Sequence, residues 1–375
     1  MINGSKLLKL GLNQNRLIGP IPASLWNMTQ LNWLDLNSNL LTGTISADIA
    51  YLQKLIYLDL SNNSFVGSIP EEIIMLQDLT TLKMHSNVWT GNPLEAITLY
   101  TMANLQNIDL NSCGISGTLP SDLSLMTGLQ SLNLKNNSLS GSMPNSYGNF
   151  GELSSLILAE NKLTSGMPPS FSKLTKLRVL QIHNNTFNCS IAIGIVSKLP
   201  VLQVIDMSHN NFLGTIPAEV FQGTAKTNLR ILALASNCFY GSFPEDVCQV
   251  KSLNKLILTG LSSGPMCRKS SWQGTVFESF FDNSISHNYM EGTFPECIFS
   301  LPNLQGLYAG GNRIVGKFPP TITSTALEVL SMPYNSFYGT FPAYFATSKN
   351  LTSIDMGHNR LSGNISDFGN SHIHT

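Results

Sequence analysis

Residues 55–78 form a template that the rest of the chain repeats. They read LIYLDLSNNSFVGSIPEEIIMLQD, with apolar residues at template positions 1, 4, 6, 11 and 15, and with Asn, Gly and Pro at positions 9, 13 and 16. Each copy is too short to bury its own apolar side chains, so the copies must stack on one another to form a core. Fifteen copies follow one another at spacings of 23 to 27 residues, starting at Leu7, Leu31, Leu55, Leu79, Leu105, Leu129, Leu153, Leu177, Leu202, Leu229, Leu253, Phe280, Leu304, Leu327 and Leu351.

The two ends of the template predict different secondary structure. Leu58 and Leu60 alternate with Tyr57 and Asp59, which is the periodicity of a strand with one buried face. The last third, EEIIMLQD, has the apolar spacing of a short helix or 3₁₀ turn. One strand and one helical turn in every copy predict an α/β solenoid.

The ninth template position carries Asn in thirteen of the fifteen copies, where the chain leaves the strand. A buried amide can donate to and accept from backbone groups that the turn leaves unpaired. Leu261 breaks the rule in the eleventh copy. We therefore predict a structural ladder along the stack, formed by Asn15, Asn39, Asn63, Asn87, Cys113, Asn137, Asn161, Asn185, Asn210, Asn237, Asn288, Asn312, Asn335 and Asn359.

The segments LDLSNNSFVGSIPEE and LYAGGNRIVGKFPP fit the pattern LxxLxLxxNxLxGxIPxx, which resembles the plant-type leucine-rich repeats. That class includes the ectodomains of receptor-like kinases and receptor-like proteins, and secreted polygalacturonase-inhibiting proteins. The resemblance implies a right-handed leucine-rich-repeat superhelix of about 15 repeats of ~24 residues, with a concave parallel β-sheet and a second short strand beside it. We expect one domain over residues 1–375, with repeats from Leu7 to about Phe368 and an irregular repeat at 253–279 whose loop is either a binding loop or an ordinary irregularity.

Composition narrows the function. A net charge of −1 with 11% charged residues excludes nucleic-acid binding through phosphate neutralisation. We find neither a signal peptide nor a transmembrane segment in the sequence, so attachment to a membrane would require a segment not present in this chain. The cysteine-paired caps of the class are also missing, so we expect a fragment of a longer protein. The repeat class implies an extracellular or cell-surface location.

Catalytic and metal-binding motifs are absent from the sequence. It contains no nucleophile elbow, phosphate-binding glycine loop or HExxH, and the recurring strand Asp belongs to the repeat consensus. We therefore predict no enzyme activity, no cofactor and no metal site. Eight Asn-x-Ser/Thr sequons are weak support for a glycosylated surface; they begin at Asn3, Asn27, Asn62, Asn136, Asn184, Asn188, Asn350 and Asn364.

The six cysteines do not form the framework of a disulfide-rich domain. Cys113 occupies a ladder position, which predicts a buried thiol. We expect Cys189 and Cys238 to be unpaired. Cys248 is placed to form a disulfide with Cys267 of the irregular repeat, and Cys297 is the competing partner.

Residues between the strand leucines decorate the exposed face of the sheet, and aromatic and arginine side chains dominate binding hot spots. We expect a non-enzymatic recognition module that binds a peptide or protein ligand there, as in a receptor-like ectodomain, with a co-receptor as a second partner. One alternative is an inhibitor of a polysaccharide-degrading enzyme; another is ice binding, suggested by the Thr or Ser after the turn glycine. The candidate ligand-binding residues are Trp33, Tyr57, Lys83, His85, Arg178, Gln181, His183, His209, Tyr308 and Tyr334.

Overall fold

The computed structural model describes residues 6–90, 102–121, 123, 126–188, 193–196, 198–262, 292–319, 322 and 324–364. Contacts within the chain define two compact units, Met1–Val179 and Leu180–Thr375. We call them the first unit and the second unit and describe each by itself. The expectation of one domain over residues 1–375 stays a prediction.

The described residues form 26 strands of two to five residues each. In chain order they are β1 (Lys9–Gly11), β2 (Ile18–Gly19), β3 (Trp33–Asp35), β4 (Leu40–Gly43), β5 (Tyr57–Asp59), β6 (Ser64–Gly67), β7 (Thr81–Lys83), β8 (Val88–Trp89), β9 (Asn107–Asp109), β10 (Ser116–Thr118), β11 (Ser131–Asn133), β12 (Ser138–Ser142), β13 (Ser155–Ile157), β14 (Lys162–Thr164), β15 (Val179–Gln181), β16 (Val204–Asp206), β17 (Leu213–Gly214), β18 (Ile231–Ala233), β19 (Cys238–Phe239), β20 (Lys255–Ile257), β21 (Gly306–Tyr308), β22 (Val315–Gly316), β23 (Val329–Ser331), β24 (Ser336–Thr340), β25 (Ser353–Asp355) and β26 (Arg360–Ser362).

Fourteen of these strands form the main parallel sheet, in the order β1, β3, β5, β7, β9, β11, β13, β15, β16, β18, β20, β21, β23 and β25. The register places identical template positions side by side, so Leu34 lies beside Leu58 and Trp33 lies beside Tyr57. The two leucines are fully buried, whereas Trp33 stays exposed on the other face of the sheet. The predicted α/β leucine-rich-repeat solenoid is confirmed.

In most described repeats a second strand follows the ladder position and belongs to a smaller parallel sheet, such as β2–β4–β6–β8 in the first unit and β22–β24–β26 in the second. Strands β2, β4 and β6 end at the turn glycine. Gly67 has φ +84°, and a Cβ added there would lie 2.7 Å from the Thr44 Cγ2 atom of the preceding repeat. Both the backbone conformation and the close approach of neighbouring repeats therefore favour glycine.

The outer side of the repeats carries short helices, as the template predicts. Pro70 illustrates how they begin, since its φ of −65° and ψ of 140° place an extended residue before the first helical turn. The helix then buries Ile73 completely. The 3₁₀ helices are Ala23–Asn27, Ala47–Tyr51, Glu71–Met75, Asn145–Asn149, Pro169–Lys173, Ala218–Phe221, Glu245–Gln249 and Glu296–Ser300, and the α-helices are Ile193–Val196, Ala225–Asn228 and Tyr344–Thr347.

The ladder amides connect successive repeats through hydrogen bonds. Asn63 Nδ2 donates to the carbonyls of Leu60 and Ser61 in its own repeat and of Leu36 in the preceding one, and its Oδ1 accepts the Leu41 N–H. Bonds of this kind recur at Asn39, Asn87, Asn137, Asn161, Asn210, Asn237, Asn312, Asn335 and Asn359. Asn15 and Asn185 donate to carbonyls of their own repeats.

Cys113 occupies the ladder position of the fifth repeat, and a neighbouring tryptophan supplies the missing donor. The Met84 carbonyl, which a ladder amide would bind, accepts the Trp89 indole N–H at 2.9 Å and a weak thiol contact from Cys113 at 3.5 Å. Burial, helped by the charge of Asp109, raises the pKa of the Cys113 thiol to about 12. The thiol is therefore protonated at neutral pH and part of the core.

The strand register shows that the prediction for the eleventh and twelfth repeats is wrong. Lys255 of β20 pairs directly with Gly306 of β21, so no strand starting at Phe280 lies between them. Asn312 likewise reaches back to the Leu258 carbonyl at 2.7 Å. The main sheet thus holds one strand fewer than the fifteen predicted. Residues 263–291, which include the predicted Phe280, His287 and Asn288, lie outside the described residues.

The same register corrects the predicted disulfide. Cys248 is bonded to Cys297, with their Cα atoms 5.6 Å apart, and not to Cys267. The two cysteines lie on the outer helices Glu245–Gln249 and Glu296–Ser300, which become neighbours because β20 pairs with β21. Cys238, predicted to be unpaired, is also disulfide-bonded. Cys189 and Cys267, like the predicted repeat end near Phe368, lie outside the described residues.

Candidate ligand-binding surface

The exposed side of the main sheet, which we call the sheet face, carries template positions 3, 5, 7 and 8. Positions 4 and 6 are buried because side chains alternate across a strand. Position 8 has positive φ in nearly every described repeat, for example +51° at Asn62 and +54° at Tyr334. Every sequence-predicted site residue lies on this face or at its border. Only some of these residues contact one another.

In the first unit, Trp33 and Tyr57 stack face to face with ring centroids 3.7 Å apart and an interplanar angle of 4°. The Lys9 ammonium lies 5.6 Å from the centre of the Trp33 ring, and the Lys83 ammonium lies 5.6 Å from the centre of the Tyr57 ring. We call these four residues the aromatic stack. Because both outer ring faces have a lysine over them, the stack offers a ligand its ring edges and two cations.

Asp59 holds Tyr57 and Lys83 of the aromatic stack in position. Its carboxylate accepts a hydrogen bond from the Tyr57 hydroxyl at 3.0 Å, lies 3.9 Å from the Lys83 ammonium, and also accepts the Ser61 N–H at 3.0 Å. Burial and the negative charge of Asp59 together raise the pKa of Tyr57, which keeps the phenol protonated. The ring of Tyr57 is therefore held in one orientation.

Two other predicted residues of the first unit lie apart from the stack. The His85 Nδ1 atom is 3.2 Å from the Ser86 hydroxyl on the same loop. Arg178 is exposed at template position 2, just before β15.

In the second unit, His183 and Asp206 of neighbouring repeats lie side by side, with Nδ1 and Oδ2 3.1 Å apart. Burial of the Asp206 carboxyl acts to raise its pKa, but the hydrogen bonds from His183 and Ser208 outweigh burial and hold the pKa below its ordinary value. Gln181 is half-buried on the same face, and His209 is exposed.

The two predicted tyrosines of the second unit have different surroundings. Tyr334 stacks on His358 with centroids 4.2 Å apart, and 61% of its surface is exposed. The Tyr308 ring extends over Gly306, where a Cβ would lie 2.8 Å from its Cε2 atom. Glycine at this position thus leaves room for Tyr308 to lie along the strand.

The sequence-based list of site residues did not include Lys9, which belongs to the aromatic stack, or Asp59, which holds the stack in place. Both were readable from the template: Lys9, Trp33 and Tyr57 all occupy position 3 of consecutive repeats, and Asp59 lies two residues after Tyr57 on the same strand face.

The described part of the chain was searched for membrane-spanning helices and for metal-binding clusters of side chains. No helix there is long and apolar enough to cross a bilayer. No group of three His, Cys, Asp or Glu side chains there has the arrangement of a metal site.

Two family models match parts of the chain. The first, described as "Leucine rich repeat", matches residues 151–212. The second, also described as "Leucine Rich Repeat", matches residues 54–76, 104–126, 128–150 and 350–371. No curated protein matches the chain in sequence.

Solved structures match the chain more extensively. The PEPR1–AtPEP1 complex is 26% identical with a TM-score of 0.81, covering 97% of this chain and 47% of that one. The ectodomain of the plant membrane receptor kinase GASSHO1/SCHENGEN3 from Arabidopsis thaliana, in complex with CASPARIAN STRIP INTEGRITY FACTOR 2, is 26% identical with a TM-score of 0.75, covering 95% and 42%. The plant peptide hormone receptor RGFR1 in complex with RGF2 is also 26% identical with a TM-score of 0.75, covering 95% and 60%.

The chain spans 42% to 60% of the length of these three structures. Its repeats, the ladder between them and these matches agree with one another. The chain belongs to the leucine-rich-repeat proteins, and its repeats are of the plant type found in receptor ectodomains.

Proposed function

We propose that this chain is a non-enzymatic recognition module, part of the ectodomain of a receptor-like protein or receptor-like kinase, and that it binds a peptide or protein ligand on the sheet face. The observation that carries the proposal is the alignment of outward side chains from consecutive repeats, with Lys9, Trp33, Tyr57 and Lys83 as its clearest example. Such a surface can contact an extended ligand at many points while the backbone of the sheet stays fully paired.

The similar structures support the same function. Two of them, each 26% identical to this chain over 95% of its length, are plant receptors in complex with a second molecule, and one of the two is a peptide hormone receptor. The proposal places this chain outside the cell, as the ectodomains of membrane receptors are.

Selection of peptides from a displayed library of random dodecapeptides tests the proposal. Wild-type chain is compared with a Trp33→Ala/Tyr57→Ala variant, with a Tyr308→Ala/Tyr334→Ala variant and with Tyr51→Ala. Tyr51 is the matched control because it is 57% exposed on an outer helix. We expect the selected peptides to lose binding to at least one sheet-face variant and to keep it with Tyr51→Ala. Failure to select any peptide, or dependence on Tyr51 alone, would contradict the proposal.

A further inference from the structure

The sheet face of the second unit differs in chemistry from that of the first. Positions 3 and 5 of its strands carry five half-buried apolar residues, which we call the apolar patch: Val204, Ile231, Ile257, Tyr308 and Val329. Position 3 of the first unit carries Thr81, Asn107, Ser131 and Ser155 in four consecutive repeats. Single exposed apolar residues are ordinary, but a contiguous group on a recognition surface indicates contact with another molecule.

The register shows that the patch is continuous. Val204 lies beside Ile231, and Ile257 lies beside Tyr308. Ala233 pairs with Ile257 and Gly306 pairs with Val329, so small side chains lie beside these two apolar residues. Lys255, between Ile231 and Gly306 at position 3, is the one exposed charged side chain among the five strand positions that connect the patch.

Two cations lie in and beside the patch: Lys255 is at position 3 of β20, next to Ile231, and Arg230 precedes Ile231 at position 2, on the border of the sheet face. Arg230 and Lys255 are exposed, and they are neighbours because the Lys255 N–H donates to the Arg230 carbonyl at 3.0 Å. Within the described part of the chain, neither side chain is paired with a carboxylate. An unpaired pair of cations in an apolar surface is complementary to a ligand carboxylate between apolar groups.

The region of the apolar patch also lacks N-glycosylation sequons. Residues 189–349 contain no Asn-x-Ser/Thr sequence, whereas Asn62, Asn136 and Asn184 place sequons at the exposed eighth position of earlier repeats. If the chain is exposed outside the cell, as the proposed function requires, N-glycans are excluded from the apolar patch but allowed beside the rest of the sheet face. A surface that binds a peptide in close contact must be free of N-glycans.

From the apolar patch, the two cations in and beside it and the absence of sequons, we infer that the second unit binds an extended acidic peptide segment. Its carboxylate side chain contacts Arg230 and Lys255, and aliphatic side chains before and after the acidic residue lie on the patch. The acidic group is internal to the segment, because apolar residues flank the cations on both sides: Val204 precedes them and Val329 follows them. This inference rests on the proposed function and specifies its ligand.

The size of the patch sets the length of the segment. Five neighbouring strands run from Val204 to Val329, and at about 4.8 Å between strands they span roughly 19 Å. An extended peptide rises about 3.3 Å per residue, so about six residues cover the patch.

The test uses a displayed library of random heptapeptides as the probe, selected on wild-type chain and on three variants. On wild type we expect enrichment of an Asp or Glu flanked by aliphatic residues. An Arg230→Glu/Lys255→Glu variant should bind those peptides at least about tenfold more weakly and should select Lys or Arg in place of the acid. Ile231→Asp should abolish their binding. Lys54→Glu, on the exposed outer side of the first unit, should leave the selection unchanged.

The outcomes separate the two proposals. Peptides that bind wild type with the same consensus and affinity after the charge reversal overturn this inference and leave the proposed function standing. Failure of wild type to enrich any peptide overturns both. Native-state hydrogen exchange of each variant is the folding control, because retained protection of its strands distinguishes loss of binding from loss of folding.

Discussion

Cys113 stands in the ladder where most repeats have Asn, and this leads to a prediction in which two single variants are destabilised but the double variant is close to wild type. In the preceding junction, the Phe65 N–H donates to Asn87 Oδ1 at 3.0 Å, and Asn87 Nδ2 donates to the Leu60 carbonyl at 3.0 Å. In the next junction, Trp89 takes the place of the phenylalanine and Cys113 takes the place of the amide. The double variant Trp89→Phe/Cys113→Asn therefore recreates a combination that the chain already uses.

Each single change should destabilise the first unit. Trp89→Phe removes the indole N–H from the buried Met84 carbonyl, which keeps the hydrogen bond from Asn87 Nδ2 and the thiol contact, so the expected loss is that of one hydrogen bond, about 0.5–1.5 kcal/mol. Cys113→Asn inserts a larger side chain at a site that is 1% exposed while the indole still occupies the carbonyl, and overpacking costs about 1–3 kcal/mol. The double variant should lie within about 1 kcal/mol of wild type, because the new amide supplies both the donor and the acceptor.

Native-state hydrogen exchange of the amides in β7 and β9 measures this cycle locally, which suits a repeat protein whose unfolding need not be two-state. We expect exchange to be about tenfold faster for every 1.4 kcal/mol lost in each single variant, and near the wild-type rate in the double variant. The coupling energy should be at least about 1 kcal/mol. Additive losses in the double variant would refute the view that the tryptophan replaces a ladder amide.

Three further predictions concern stability. Asn63→Ala should lower the free energy of unfolding in urea by about 1–3 kcal/mol, whereas Asn62→Gly at the exposed adjacent position should cost far less. Replacing both Cys248 and Cys297 by Ser should lower the free energy of unfolding by about 2–4 kcal/mol, and an unchanged urea unfolding curve would contradict this. Because the pKa of Asp206 is lowered in the fold, its contribution is present above about pH 4 and is lost as the pH falls through the lowered value; an acid titration of unfolding should therefore be less steep for Asp206→Asn, and identical slopes would contradict this.

The sequence predicts the local structure of the repeats well, because each apolar position is tied to one place in a strand or outer turn. Leu58 and Leu60 must be buried and Tyr57 must face outward, whatever lies elsewhere in the chain. The stacking of Trp33 on Tyr57 follows from equal template positions in neighbouring repeats. Lys9 and Asp59 can also be found from the sequence, but only by comparing equal template positions across repeats, which places Lys9 beside Trp33 and Asp59 beside Lys83.

The sequence pattern is wrong about which strands are neighbours around the twelfth predicted repeat. Phe280 and Asn288 have the spacing of a repeat, but Lys255 pairs directly with Gly306, so the predicted strand does not lie between β20 and β21. That pairing is a long-range contact, which a local pattern does not encode. The wrong disulfide followed from it, since Cys297 reaches the helix of Cys248 only when β20 and β21 are neighbours.

The binding of a peptide on the sheet face is tested most directly by photo-crosslinking. A photoreactive aromatic amino acid replaces Tyr308 on the sheet face in one protein and Tyr51 on an outer helix in another. Each protein is irradiated with a peptide selected on wild-type chain, and the crosslinked residues are identified by mass spectrometry. We predict crosslinks from position 308 and none from position 51. Crosslinks from position 51 alone would contradict the assignment of the sheet face as the ligand-binding surface.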